Sequence, residues 1–418
     1  MKILIIGSGG REHTIGWRLA QDGNDIIAMP GNPGLAQIGT CFDVSVDDAA
    51  GTVELAKREK VDLVVIGPEA PLCLGVADAL RAEEFDVFGP GKAAAELEGS
   101  KIFSKEFFEK HGIKTAPFVV CESLGDVDKA LEKLGPQVVV KADGLAGGKG
   151  VFICSTEKDV RDAAKALLEG TRFGSAGKKI LIEKKIIGRE LSVMALCDGK
   201  DVRLLPGAED HKTIFYKDQG PNTGGMGTVS PPSWSEPQLI ERIKKDVFLK
   251  TVEGLQKEEL DFRGVLFAGL MVDASGCPWL LEYNVRFGDP ETQAVFARWR
   301  GDVAVWLLGA AQGELPKGSP LWDERTAVCV VMAAKGYPGP DVSKGDEIKG
   351  LENVKDAWVF HAGTSQKDDK FWTSGGRVLS VCALASNIEN ARALAYQGVG
   401  TIEFSGAQYR QDIGTRKA

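Results

Sequence analysis

The sequence predicts a multidomain protein of the α/β and α+β classes. It comprises an N-terminal open parallel α/β domain, a central domain with a mobile flap subdomain, and a small C-terminal α+β domain. Three observations carry this prediction. Residues 1–100 alternate short apolar runs with helix-patterned stretches, as strands joined by crossover helices do. Past Gly99 the pattern changes, and a glycine-rich, lysine-bearing loop joins two strand-like runs. Around Gly313–Pro320 the composition turns to Gly, Pro and Lys, which marks a second boundary. The domain bounds that follow are 1–100, 101–316 with a flap over about 116–185, and 317–418.

Composition narrows the function classes. A chain of 418 residues exceeds a single core and implies roughly two to four domains. Its 43% hydrophobic and 26% charged residues are those of a globular protein. A net charge of −8, spread without blocks of one sign, argues against a nucleic-acid or acidic-membrane partner. No apolar run approaches the roughly 18 residues of a membrane span. Met1-Lys-Ile-Leu-Ile-Ile6 runs straight into a strand pattern without a cleavage site, so a cytoplasmic protein is expected. The eight cysteines are scattered with no CxxC pair, and four scattered histidines make a His-built zinc site improbable.

In the N-terminal domain, Lys2–Ile6, Asp25–Ala28, Val61–Ile66 and Asp86–Phe88 read as parallel strands, with helices near Glu12–Ala20, Thr52–Lys60 and Leu74–Glu83. Ligands of open α/β sheets bind beyond the carboxyl ends of strands, where Gly7–His13, Pro30–Gly34 and Gly67–Leu72 fall. Gly7–Gly10 before a helix start offers backbone N–H groups to a phosphate. A dinucleotide does not fit. The GxGxxG pattern needs a third glycine where Glu12 stands, and the second strand ends at Pro30 without a ribose-binding acid. The plainer reading, glycines that shape turns and Glu69 as one acid in a loop, stays open at this point.

Next come helix Ser100–His111, strand Pro117–Cys121, helix Gly125–Leu134 and strand Val138–Lys141. The loop Ala142–Gly150 then leads to strand Val151–Cys154 and helix Lys158–Leu168. Such a loop reads as a flap whose amides close on phosphates, with Lys141 at the strand end as a point charge. It is not a Walker A loop, since Lys149 is followed by Gly150. A flexible surface hairpin is the alternative. Strands Ile180–Glu183, Leu191–Cys197 and Asp201–Leu205 follow, and the linker between the first two could offer backbone groups to a purine and Glu190 to a ribose. Pro206–Pro232 is dense in charge and glycine yet carries Ile214, Phe215, Tyr216 and Met226, which suits a substrate-handling loop better than disorder.

Helix Glu236–Gln256 precedes a strand pair over Val265–Val285. Alternation along its second strand puts Glu282 and Asn284 on one face, with Arg286 next, and turns Leu281, Tyr283 and Val285 into apolar packing. A carboxylate, a carboxamide oxygen and a guanidinium suit Mg²⁺ on a polyphosphate, while an edge strand with a solvated face is the bland reading. Helix Asp302–Gln312 closes the central domain. The tail reads as strands Ala327–Ala333, Trp358–Gly363, Gly376–Ala385 and Gly400–Phe404 with helix Ile388–Gln397, a packing domain without a charged constellation.

The flap, the Glu-x-Asn strand and the open α/β domain together resemble the ATP-grasp ligases. More narrowly, several motifs resemble the phosphoribosylamine–glycine ligase (glycinamide ribonucleotide synthetase) family: GSGGREH (7–13), GPEAPL (67–72), KADGLAGGKGV (141–151), DHKTIF (210–215), Gly220–Gly227 and EYNVRFGDPETQ (282–293). GGRVLSV (375–381) and YRQDIG (409–414) extend the likeness over nearly the whole chain.

The resemblance implies ATP-dependent ligation of glycine to 5-phosphoribosylamine through glycyl phosphate, a step of purine biosynthesis. The alternatives are another ATP-grasp carboxylate–amine ligase of nucleotide synthesis, which the DHK block opposes, and a nucleotide-binding protein without catalysis. It further implies ATP and Mg²⁺ as cofactors, with Mn²⁺ as a substitute, and a monomer, with a dimer left open. Glu282 and Asn284 would hold the metal. Lys101, Lys141, Gly147, Gly148 and Lys149 would meet phosphates, and Glu183, Lys185, Ile186 and Glu190 would take adenine and ribose. Gly9, Gly10, Arg11, Asn32 and Glu69 would hold phosphoribosylamine. Asn222, Thr223, Gly224, Gly225 and Met226 would line the glycine site, and Asp210, Lys212, Arg286 and Asp289 would act in catalysis. One departure stands out: Val265–Met271 lacks the further acid of many ATP-grasp enzymes, and Asp273 at the strand end leaves the number of metal ligands open.

Overall fold

The computed structural model describes residues 1–145, 150–170 and 178–415. Its N-terminal sheet is parallel, with strands in the order Thr40–Cys41, Asp25–Pro30, Lys2–Gly7, Leu63–Ile66, Val87–Phe88. The chain winds outward from the first strand to one side and then to the other. The crevice between Lys2–Gly7 and Leu63–Ile66 is therefore the topological switch point, and the loops after Gly7 and after Ile66 open at its mouth. Between this sheet and the central domain lies helix Lys92–Gly99, which periodicity alone had not singled out.

The flap is an antiparallel sheet ordered Phe118–Cys121, Ile180–Lys184, Val138–Ala142, Val151–Cys154, covered by helices Leu124–Leu134 and Glu157–Leu168. Val127, Leu131, Val140, Val160, Leu167 and Ile182 form a core of its own. By contrast, the N-terminal sheet and the central sheet share theirs: Leu4, Ile6 and Val64 pack in one cluster with Leu191, Leu266 and Tyr283. The central sheet orders Val202–Leu204, Arg189–Cys197, Gly264–Val272 and Pro278–Asn284.

In the last of these strands the register shifts between Gly269 and Leu270, which pair with Glu282 and Leu280. Leu281 is thus the extra residue of a bulge, and Leu280, not Leu281, packs into the core with Tyr283 and Val285. The bulge leaves Glu282 and Asn284 on the face opposite that core.

The fifth-strand architecture of the C-terminal sheet draws on both sides of Gly313–Pro320, in the order Glu209–Asp210, Gly227–Ser230, Thr326–Ala333, Arg377–Ala385, Trp358–His361. Helix Ile388–Thr401 lies on it, so the strand expected at Gly400–Phe404 is helix up to Thr401 and beyond that only an isolated bridge, Lys349 with Glu403. The glycines at 398 and 400 lowered the helical signal without ending the helix. Gly398 packs where a Cβ would meet Val381 at 2.9 Å, which explains its presence.

Candidate active site

Four structural units meet around Glu282–Gln293. From the central domain, Lys101 opens the helix Lys101–Lys110, whose N-cap Ser100 and whose Ile102 N–H both bond Asp143. Lys101 Nζ donates to the Gly144 carbonyl at 2.9 Å, tying this helix start to the flap loop. Gly147, Gly148 and Lys149 lie outside the described residues.

Lys141 Nζ and Lys105 Nζ each pair with one oxygen of Glu183 at 2.5 Å, all three side chains being nearly buried. Burial pushes the Glu183 carboxyl up, but Lys141 and Lys105 outweigh it and hold it below the usual range. Glu183 is therefore a counter-ion to two lysines. Beyond it, Lys185 donates its N–H to Gln137, and Glu190 lies 3.3 Å from Lys212 Nζ.

Glu282 faces the same cleft. Burial raises its carboxyl, yet Lys141, Lys212, Lys101 and Arg286 together hold it ionised below the ordinary value. Asn284 Oδ1 accepts from Arg286 Nη2 at 2.9 Å, which leaves one lone pair of that oxygen for another partner. Among the described residues no three His, Cys, Asp or Glu side chains converge into a metal cage. The donor set therefore fits a hard cation that takes its remaining oxygens from phosphates and water, as Mg²⁺ does. Asp273 does not belong to the set. Its carboxylate organises the hairpin turn, accepting from Ser275 N, Cys277 N and Trp279 Nε1.

Arg286 is the hub. Its guanidinium bonds Glu98 Oε1 at 2.8 Å and Glu69 Oε2 at 3.2 Å, and so joins the linker helix, the N-terminal domain and the metal-facing strand. Burial lowers its affinity for the proton, but Glu98, Glu69 and Glu291 more than reverse that.

At the switch point, Gly9 donates its N–H to Glu12 Oε2 at 2.6 Å, and Arg11 pairs with Glu12 at 2.5 Å while donating to the Phe287 carbonyl. Gly10 lies under Gln293, whose Nε2 would meet a Cβ there at 2.9 Å. Asn32 is tied on both ends of its amide: Oδ1 caps the helix Pro33–Ala36, and Nδ2 bonds the carbonyls of Ser8, Gly9 and His361. It fixes the glycine loop at the mouth of the switch point.

On the fourth side, Asp210 is nearly buried on its short strand. Burial and the nearby Glu291 push its carboxyl well up, with Lys212 opposing. Thr223 N and Oγ1 both donate to the Lys212 carbonyl at 2.7 Å, Asn222 pairs with Thr213, and Met226 is buried against Ile214 and Ala333. Gly225 runs at φ +110°, and a Cβ there would meet Asp210 Oδ1 at 2.8 Å. Asp289 accepts from Gln293 Nε2 at 2.9 Å and lies 3.2 Å from Arg377 Nη2.

The sequence reading missed Glu98, Lys105, Glu291 and Arg377. Glu291 stands inside the Arg286–Gln293 motif and Arg377 inside the Gly375–Val381 motif, so both were within reach. Glu98 and Lys105 sit on helix faces that no sequence pattern distinguishes from solvated ones.

This geometry agrees with comparison to known proteins. Family models for the N domain, the ATP-grasp (A) domain and the C domain of phosphoribosylglycinamide synthetase match residues 1–98, 99–292 and 327–416. The chain belongs to the phosphoribosylglycinamide synthetase family. Curated relatives named phosphoribosylamine–glycine ligase include one from Ralstonia nicotianae, 43% identical across 100% of this chain and 99% of its own. Another, from Allochromatium vinosum, is 45% identical across 100% of this chain and 98% of its own. A solved phosphoribosylamine–glycine ligase from Thermotoga maritima is 36% identical, with a TM-score of 0.87 over 99% of this chain and all of the other. The biotin carboxylase domain of a Hydrogenobacter thermophilus 2-oxoglutarate carboxylase, solved with MgADP, shares the fold at a TM-score of 0.74 and 19% identity over 98% of this chain and 91% of its own. Membership in an ATP-grasp family makes the chain an ATP- and divalent-cation-dependent ligase. No helix among the described residues is long and apolar enough to cross a membrane.

Proposed function

We propose that the chain ligates glycine to 5-phosphoribosylamine with ATP, through glycyl phosphate, releasing ADP and phosphate in purine biosynthesis. One observation carries this reading: Arg286 bonds both Glu69 of a switch-point loop and Asn284 of the Glu282-bearing strand, and so stands between two subsites. On one side stand Glu282, Asn284, Lys101 and Lys141, suited to a metal-bound polyphosphate. On the other stand the switch-point loops with Arg11 and Glu69, suited to a phosphorylated sugar.

The chemistry needs no protein nucleophile, only charge neutralisation and two substrates held in line. Glu282 and Asn284 would hold Mg²⁺, which would supply Lewis acidity to the phosphoryl oxygens, and Mn²⁺ would suit the same hard oxygens. Lys141 and Lys101 hold the phosphates, with Glu183 presenting Lys141 toward them. The Ile186 N–H and Lys185 carbonyl read the purine edge, and Glu190 meets the ribose. With the Gly9 N–H committed to Glu12, the sugar's phosphate meets the first-turn N–H groups at Gly10 and Arg11. Asp210, Lys212 and the Asn222–Met226 loop receive glycine, and Arg286 steadies the developing acyl phosphate.

The test is ADP release with ATP, Mg²⁺ and phosphoribosylamine, comparing glycine with other amino acids and with bicarbonate. Turnover independent of glycine overturns the reading. Glu282→Gln should abolish turnover and leave the fold intact; near-normal kcat at saturating Mg²⁺ would show the metal placement to be wrong.

A further inference from the structure

The C-terminal strand Arg377–Ala385 does more than pack. Arg377 leaves its first position and reaches into the cleft, where Nη1 donates to the carbonyls of Gly224 at 2.6 Å and Asp289 at 2.7 Å. Nη2 lies 3.2 Å from Asp289 Oδ2. A second C-terminal side chain grips the same loop: Tyr337 Oη accepts from Gly224 N–H at 3.0 Å. The loop is moulded to both. A Cβ at Gly224 would meet the Arg377 guanidinium carbon at 3.0 Å, and Gly225 runs between Asp210 and Pro290. Arg377 is partly buried, its side chain 22% exposed, and its planar fork carries enough donors in fixed geometry to span a carboxylate and two carbonyls at once.

We propose that Arg377 is a positioning residue for the ligation: it sets the spacing between Asp289 and the Gly224–Gly225 loop across the pocket that receives glycine, with Tyr337 as the second hold. This rests on the ligase reading given above. The guanidinium does not itself act on the reacting atoms; its contacts are spent on the two walls. Loss of the fork should therefore loosen the amino-acid pocket and leave the ATP subsite, built on Glu282, Lys101 and Lys141, in place. Asp289 would also lose the cation that, with Arg11, opposes the effect of burial on its carboxyl.

The experiment uses the full-length protein. Steady-state constants for glycine, ATP and phosphoribosylamine are measured in the wild type, Arg377→Met, Arg377→Lys and Tyr337→Phe, together with thermal unfolding of each. Arg377→Met should raise the glycine KM by about tenfold to a hundredfold, the size of lost hydrogen bonds to charged groups. Its ATP KM should stay within about twofold of wild type. Arg377→Lys, which keeps the charge beside Asp289 without the fork, should recover part of the loss and serves if the methionine variant does not fold. Tyr337→Phe should raise the glycine KM by a few-fold. A merely structural role would lower the unfolding midpoint and scale all three KM values together, and that result overturns the proposal. An unmoved glycine KM in both Arg377 variants also overturns it. A wild type whose ADP release ignores glycine overturns the ligase reading, and the proposal with it.

Discussion

Glu98 and Arg286 face each other at 2.8 Å, and the second oxygen of Glu98 accepts the Val285 N–H at 2.8 Å. One carboxylate on the linker helix thus fixes both the backbone and the guanidinium at the point where the metal-facing strand enters the catalytic loop. Its side chain is only 8% exposed. Glu98→Ala should therefore cost about 3 kcal/mol of stability, the size expected when a buried ion pair loses one member. Glu98→Gln, whose single carbonyl oxygen can accept only one of the two hydrogen bonds, should cost about 2 kcal/mol. Urea unfolding of the two variants checks this, and equal losses would show that charge, not hydrogen bonding, is what Glu98 supplies.

The Lys105–Glu183–Lys141 triad predicts a stability that depends on nucleotide. Glu183→Gln leaves two buried ammonium groups without a carboxylate, a loss of about 3–5 kcal/mol in the unliganded protein. MgATP would supply anions to the same lysines, so the variant should gain more from it than the wild type does. Thermal unfolding with and without MgATP measures the difference. A ligand-induced shift equal to that of the wild type would remove Lys141 from the phosphate subsite.

Two histidines predict how stability responds to acid. His13 Nδ1 accepts the His361 N–H at 2.8 Å, and His361 Nδ1 bonds Thr364 Oγ1 at 3.0 Å. Burial, then the neighbouring His361, lowers His13 to about 3, and burial lowers His361 to about 4. Both are therefore neutral in the folded protein at pH values where the unfolded chain, near 6.5, already binds the protons. Their contribution is complete above about pH 6.5 and is lost as the pH falls toward 4. At pH 5 each should cost about 2 kcal/mol relative to pH 7. Unfolding free energies at the two pH values in wild type and in the double variant His13→Asn/His361→Asn, whose amide oxygens can still accept, should show a shallower dependence in the variant.

Two glycines predict opposite signs. A Cβ at Gly67 would meet Glu12 Cγ at 2.5 Å, so Gly67→Ala should destabilise by about 1–3 kcal/mol. Gly400 lies in the helix Ile388–Thr401 with nothing within 4 Å of its Cβ position, so Gly400→Ala should stabilise by about 0.5–1 kcal/mol. Chemical denaturation distinguishes them. A destabilising Gly400→Ala would favour the extended conformation that periodicity suggested there.

How far the sequence could be read follows from which signals are local. The parallel N-terminal strands, the flap strands and the Gly264–Asn284 pair announce themselves by apolar runs bounded by turns. Glu282 and Asn284 were legible because strand alternation fixes their side, and a bulge at Leu281 moved only the apolar partner. Glu98 and Arg377 were not, because their importance lies in contacts to residues 188 and 153 positions away. Nor could periodicity show that Asn32 ties the glycine loop down, since its partners Ser8, Gly9 and His361 come from other segments. The strand pairing of Gly227–Ser230 with Thr326–Ala333 is equally non-local, and it is what brings Asp210 and Arg377 to one cleft.

Glu12 gives the switch point an unusual occupant. Its carboxyl lies in the hollow between Gly7, Gly9 and Gly67, where any Cβ would collide with it, and takes the amide that a pyrophosphate would seek. The protein carries its own anion in that socket. A designer wishing to convert this sheet to dinucleotide use would have to evict Glu12 first, and would then hold three glycines, an arginine without its carboxylate and a ready-made void. The same glycines that look like an invitation to a cofactor are the mould of the residue that keeps it out.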